Sequence, residues 1–324
     1  MRSVFASCFG CALTALSLFV SCAPPVDNGN TRLTILHGVS TNNLPLFVAV
    51  SNGYFLDEGI ALDMKPEISS PRNLQLLHLG EAHVAGVGAI PALLGLSRGV
   101  RVVAVAENGA YSADAPQQAI IVRKNSGIDG LSDLAGKTLA ITGFGSHGDI
   151  TLRMEILPAA GLTVGDINLV EIPVAQMEGA LATGTVDAAL VIEPWASQSR
   201  ENDELEVLSW LEETIPATGH IISMLLMQEE FANANPDIVE GFRRAYERGV
   251  VEAKRDHEAA LALSAEFLKL PPELLAKTPA WEWPGNGQIR VEILKRLAGS
   301  MKDLGVIDAV PDVDAFVWPS SAVH

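Results

Sequence analysis

The residues able to do chemistry fall into a few short phrases. The sharpest is "GFGSHGD", Gly143 to Asp149, which follows an apolar run and opens a helical one. A strand entering and a helix leaving would turn the N–H groups of Ser146, His147 and Gly148 toward an anionic group, and the helix dipole would add to the attraction. The phrase also spells G-x-G-x-x-G, with Glu171 on a later strand, the pattern of a dinucleotide fingerprint. Its position argues against that use, because the fingerprint normally opens a cofactor domain and this copy lies mid-chain. His147 can bind an anion or gate by titration, and it can equally be a polar residue at a helix start. "STNN", Ser40 to Asn43, offers Ser40, Asn42 and Asn43 either to cap a helix or to face a ligand. "GVGAI" lets the backbone at Gly88 and Ala89 approach a ligand closely, or makes a tight turn. "EPW", Glu193 to Trp195, pairs a carboxylate that can accept from an amine or ring N–H with an indole that can stack on a flat molecule. A core tryptophan beside a hinge glutamate is the plainer reading of the same letters.

Alternating short apolar runs and helical stretches must position these phrases, and that alternation points to an α/β fold built from βαβ units. "RLTILHGV" reads as the first strand. "NLPLFVAVSNGYFLDEG" follows as a helix, with Leu46, Phe47, Val50 and Tyr54 about one turn apart. "IALDMKPE", "HVAGVGA" and "VRVVAVAEN" read as strands separated by helices. "QAIIVR" crosses to a second unit with strands "KTLAIT", "INLVEI" and "DAALVI", and "HIISMLLMQ" returns. The helix "HGDITLRMEILPAAG" is expected to break near Pro158. Two clusters joined by two passages imply two lobes, residues 32–118 with 223–324 and residues 119–222, each a mostly parallel sheet flanked by helices. Ligands of open α/β sheets sit at the carboxyl ends of the strands, here the cleft between the lobes. Gln117, Gln118 and Tyr111 lie where the chain crosses, and Gln118 is placed to reach a ligand. "WEWPGNG", Trp281 to Gly287, is read as sealing the C-terminal helices.

Arg2 followed by the uncharged apolar run Val4 to Val20 reads as a signal peptide over residues 1–21. "LFVSC" ends it like a bacterial lipobox, with Cys22 as the lipidated first residue of the mature chain. Residues 22–31 then form a polar tether. Cys8 and Cys11 make a C-x-x-C spacing inside the segment to be removed, so neither a redox nor a zinc site is expected of them. All three cysteines precede residue 23, and the mature domain must be stable through its core alone. The histidines His78, His220, His257 and His324 show no metal spacing, and neither a metal nor a cofactor is expected. The net charge of −17, one unit more negative once Arg2 is removed, repels nucleic acid and anionic lipid. It leaves the field inside a cleft open.

In order and spacing, "LPLFVAVSNGYFLDEGIALD", "LGEAHVAGVGAIPAL", "VRKNSGIDGLSDLAGKTLAI" and "GTVDAALVIEPW" together resemble the solute-binding proteins of bacterial ABC transporters, in the nitrate, alkanesulfonate, taurine and pyrimidine-precursor branch. The resemblance covers most of the mature chain. His37, Leu79 and His83 depart from the family's usual residues and leave the ligand open. It implies a two-lobed periplasmic-binding-protein (type II) fold and a monomer that does no chemistry on its ligand. It also implies delivery to a membrane permease with ATPase subunits, from an extracytoplasmic, lipid-anchored position. The expected ligand is a small sulfonate, nitrate, taurine or pyrimidine- or flavin-precursor type molecule. A sensory or partner-binding lipoprotein on the same fold is the alternative. A third is an enzyme like the pyrimidine synthases, whose cysteine-rich iron-binding segment has no counterpart here.

Overall fold

The computed structural model describes residues 26–27, 29–67, 69–110, 115–214, 221–284 and 287–319. The segment 1–21 read as a signal peptide, with Cys8 and Cys11 in it, and Cys22, Tyr111, His220 and His324 lie outside the described residues.

Eleven strands are present among the described residues: β1 (Val26–Asp27), β2 (Asn30–His37), β3 (Ile60–Pro66), β4 (Val84–Gly88), β5 (Val102–Glu107), β6 (Gln118–Arg123), β7 (Thr138–Ile141), β8 (Asn168–Glu171), β9 (Ala188–Ile192), β10 (Leu205–Trp210) and β11 (Ser223–Gln228). The first sheet has the order β1-β2-β4-β11-β5, with β3 beside β2; the second has the order β10-β6-β9-β7-β8. β2 pairs in parallel with β3 and β4, while β11 runs antiparallel to β4 and β5. β7 pairs in parallel with β8 and β9, while β6 runs antiparallel to β9 and β10. In each sheet the strand that arrives from the other lobe runs against its neighbours, and the first sheet adds the antiparallel pair β1–β2. The central strands β4, β6 and β9 are almost wholly buried. Their continuous Val, Ile, Leu and Ala runs suit strands covered on both faces.

Local chemistry explains where the elements differ from the sequence expectation. The tether does not run free to residue 31: Val26–Asp27 pairs back on Asn30–Thr31 across a two-residue connection. Gly29 at φ +87° supplies a left-handed residue there. The first long helix is two, Leu44–Ser51 and Tyr54–Asp57, parted at Gly53 with φ +73°. The helix after the glycine-rich loop is α-helical over His147–Thr151 and then takes a π turn over Leu152–Ile156. It is disturbed ahead of Pro158, whose missing N–H removes a bond to the preceding turn. β10, which the sequence reading passed over, forms an edge strand whose Leu205 is buried and Glu206 exposed.

The chain crosses between the sheets after β5 and again before β11, and the two passages pair. The Asn108 N–H donates to the Ser223 carbonyl at 2.8 Å and the Ile222 N–H to the Gly109 carbonyl at 2.9 Å, and Ala110 bridges Ile221. Behind them, Glu212 accepts from the N–H groups of Gln117 at 2.8 Å and Gln118 at 3.2 Å.

Candidate functional site

A cavity of about 230 Å³ lies between the sheets. The ends of β2, β3 and β4 line one wall and those of β7, β8 and β9 the other. Because β6 and β11 run in reverse, their first residues, Gln118 and Ser223, come to the same edge and complete it. The strand-end rule thus accounts for the whole lining, crossing strands included.

Of the residues singled out in the sequence, Ser40, Asn42, Asn43, Gly88, Gln118, Ser146, His147, Gly148 and Trp195 line this cavity; Ala89 and Glu193 do not. The Ala89 N–H donates to the Ile222 carbonyl at 2.9 Å and its side chain is buried, so it serves the sheet. Glu193 is wholly buried, and its carboxylate accepts from the Ser197 N–H and hydroxyl, each at 3.0 Å. Burial pushes the Glu193 carboxyl up to about 7 against those bonds. It holds the start of the helix Trp195–Arg200 and offers nothing to the cleft.

Ser40 and Asn43 cap no helix with their side chains. The Ser40 hydroxyl instead donates to the Glu193 carbonyl at 3.3 Å, a bond between the two lobes. Asn42 and Asn43 belong to a buried amide network. Asn42 Nδ2 donates to the Asn108 carbonyl at 3.0 Å, Asn108 Nδ2 to Asn43 Oδ1 at 2.8 Å, and the Tyr246 hydroxyl to Asn108 Oδ1 at 2.8 Å. Trp281 and Trp283 are buried and donate to the Thr41 hydroxyl and the Asn42 carbonyl, each at 3.0 Å. Gln117 lies away from the cavity, with its amide toward the carbonyls of Ala115, Pro279 and Ala280.

The glycine-rich loop departs most from expectation. The Phe144 N–H donates to Glu171 Oε1 at 2.5 Å, the Gly145 N–H to Asp149 Oδ2 at 2.8 Å and the Ser146 N–H to the Gly143 carbonyl at 3.2 Å. The Asp149 N–H goes to the Ser146 hydroxyl at 3.2 Å, and Asp149 also pairs with Arg153 at 2.7 Å. The N–H groups of Phe144, Gly145, Ser146 and Asp149 are thus satisfied, and Glu171 reaches over from β8 as an acceptor rather than a ribose ligand. Its glycines serve close approach. A Cβ on Gly148 would meet Leu190 Cδ2 at 3.0 Å, and one on Gly88 would meet His147 Cβ from the other lobe at 3.2 Å.

The sequence reading missed the wall that follows β3. Glu67, Ser69, Ser70 and Asn73 all line the cavity. Ser70 accepts the Gly88 N–H at 2.5 Å and Asn73 Nδ2 donates to the Gly86 carbonyl at 2.8 Å, so they shape the turn after β4. Strand-end placement was the available signal, since "PEISSPRN" closes a parallel strand. Among the described lining residues there is no Lys or Arg, and Glu67 is the acidic one, with Arg72 at 3.1 Å. Helices starting at Leu44, Ala89 and Val174 point toward the cavity. Such a dipole favours an anion by about 0.3–1 kcal/mol, against several kcal/mol to strip an unpaired anion of water. No group of three or more metal-ligating side chains occurs among the described residues.

Two α/β lobes joined by a paired double crossover, with a cleft at their strand ends, define a periplasmic-binding-protein fold. The alkanesulfonate-binding protein SsuA of Xanthomonas axonopodis pv. citri, bound to MOPS, superposes with a TM-score of 0.73 at 21% identity, over 91% of this chain and 99% of that one. The chain belongs to the NMT1/THI5-like family, whose model matches residues 40–260. A protein of Escherichia coli (strain K12) named for binding aliphatic sulfonates is 26% identical over 209 residues, 64% of this chain but only 62% of that protein. A Bacillus subtilis (strain 168) protein of the same name is 24% identical over 265 residues, 80% of this chain and 76% of the other. A 4-amino-5-hydroxymethyl-2-methylpyrimidine phosphate synthase of Aspergillus parasiticus is 26% identical over 254 residues, 75% of this chain and 70% of the enzyme.

Proposed function

We propose that this chain is the solute-capturing lipoprotein of an ABC import system. It takes one small molecule between its lobes and delivers it to a membrane permease driven by ATPase subunits, as a monomer held outside the cytoplasm by a lipid on Cys22. The observation that carries the reading is the cleft itself, set at the strand ends of both sheets and spanned by the Ser40–Glu193 bond. The lobes, assigned to residues 32–118 with 223–324 and to 119–222, would close about the crossover near Gln118 and Ser223. The relatives named for sulfonate binding support the solute-binding role. The synthase supports catalysis less well, because the mature chain has no cysteine beyond Cys22 to build an iron-binding segment.

A thermal-shift panel of sulfonates, nitrate, taurine, pyrimidines, flavins and carboxylates tests the reading on the full chain. A ligand that binds the folded state stabilises it by about 2.7 kcal/mol at a hundredfold excess over its Kd. One responsive chemical class supports solute capture; a folded protein that responds to none favours a sensory lipoprotein. Anchoring has its own test. Cys22→Ser should move the protein from the membrane to the soluble fraction on cell fractionation, and retention in the membrane would remove the lipid from the account.

A further inference from the structure

Resting on the solute-binding reading, we infer that the cleft takes an uncharged solute that donates hydrogen bonds, and not a sulfonate, nitrate or carboxylate. An anion in a protein cleft is held by cationic side chains or by free N–H groups converging on it. The described lining has no Lys or Arg. In the loop after β7, the place best suited to an anion, the N–H groups of Phe144, Gly145 and Ser146 are taken by Glu171, Asp149 and the Gly143 carbonyl, which leaves fewer donors to converge on one. The Ala89 N–H at the next helix start is taken by Ile222.

What the wall does present is a surplus of acceptors. Glu67 brings a carboxylate already paired with Arg72 at 3.1 Å, so the pair adds no net positive charge to the wall. Asn73 is 2% exposed, lies in the wall and has no partner for Oδ1 among the described residues. A buried acceptor left unmade is costly, and a solute N–H or O–H relieves it where an anion brings only another acceptor. The Trp195 indole N–H, also in the wall and without a partner among the described residues, asks for one neutral acceptor in return. An amide or a nitrogen heterocycle carries both.

Matched pairs of nearly equal shape test the charge directly. Calorimetric titration of the full chain with nicotinamide against nicotinate, uracil against orotate and ethanesulfonamide against ethanesulfonate isolates the anion from the rest of the ligand. The uncharged member should bind at least about tenfold more tightly in any pair that binds. Its affinity should stay within about twofold between roughly 50 and 500 mM salt. A tenfold preference for the anionic member, weakening with salt, overturns the inference and leaves solute capture standing. A folded protein that binds no member of any pair overturns the inference and the solute-binding reading together.

Discussion

Glu193 and Glu212 lie buried behind the cleft, one holding the helix start at Ser197, the other accepting the backbone N–H groups of Gln117 and Gln118. Burial pushes both carboxyls up to about 7, with the charge of Glu193 a smaller contribution at Glu212. A carboxyl whose folded value is raised contributes stability that is complete below its unfolded value and is lost as pH rises through the folded one. The fold should therefore lose stability between about pH 4.5 and 7 on account of this pair. Glu212→Gln keeps the acceptor for both N–H groups and removes the buried charge. It should flatten part of that slope and stabilise the protein at pH 8 by about 1–3 kcal/mol. Urea midpoints at pH 5 and pH 8 for both proteins decide it; an unchanged slope would mean that Glu212 titrates like an exposed carboxylate.

At the scale of elements, the helix Pro236–Arg255 buries Val239, Phe242, Tyr246 and Val250 at helical spacing, and Gly249 sits on the same face. That glycine lets the helix Leu44–Ser51, apolar as far as Val50, come close. A Cβ there would fall inside contact distance of the Pro45 carbonyl oxygen and 2.9 Å from Ala49 Cβ. Gly249→Ala gains about 1 kcal/mol of helix propensity, but the neighbouring backbone cannot give way. A net loss of about 1–3 kcal/mol is expected in chemical denaturation; a stabilised variant would disprove the close packing. Helices and buried strands were legible for the same reason as this contact: apolar runs and period carry them. β10 was not, because Glu204 and Glu206 interrupt its apolar letters although the alternation is present. The site was legible as a set of strand ends, and nine of its residues follow from that rule. Glu193 and Ala89 were misplaced because a local phrase does not say which side of a strand end faces the cleft. Of the donors nominated in the Gly143–Asp149 loop, the Ser146 N–H was misplaced because it turns back on the Gly143 carbonyl, a closure that residue types alone do not show.

For the whole molecule, the lobes are joined by the paired crossover and also touch beside it, where Gly88 faces His147. Gly88 belongs to the first sheet, and a Cβ there would stand 3.2 Å from His147 Cβ of the second lobe. Its backbone, at φ −59° and ψ 145°, accepts any L-residue without strain. Gly88→Val therefore acts as a wedge: the crossover bonds survive, each core survives, and the lobes are held apart at the cleft. Some crowding remains within the first lobe, because Pro91 Cδ also lies 3.2 Å from that Cβ, and a stability loss of about 1 kcal/mol should accompany the wedge. The larger effect should fall on binding, since a solute that touches both walls loses one of them. Affinity for the tightest-binding uncharged probe should fall about tenfold or more. Small-angle scattering with that probe at saturation should give the variant a larger radius of gyration than the wild type. Wild-type affinity together with a wild-type radius would show that the Gly88–His147 contact does not belong to the state that holds the solute, and closure would then have to be sought at Ser40 and Glu193 alone.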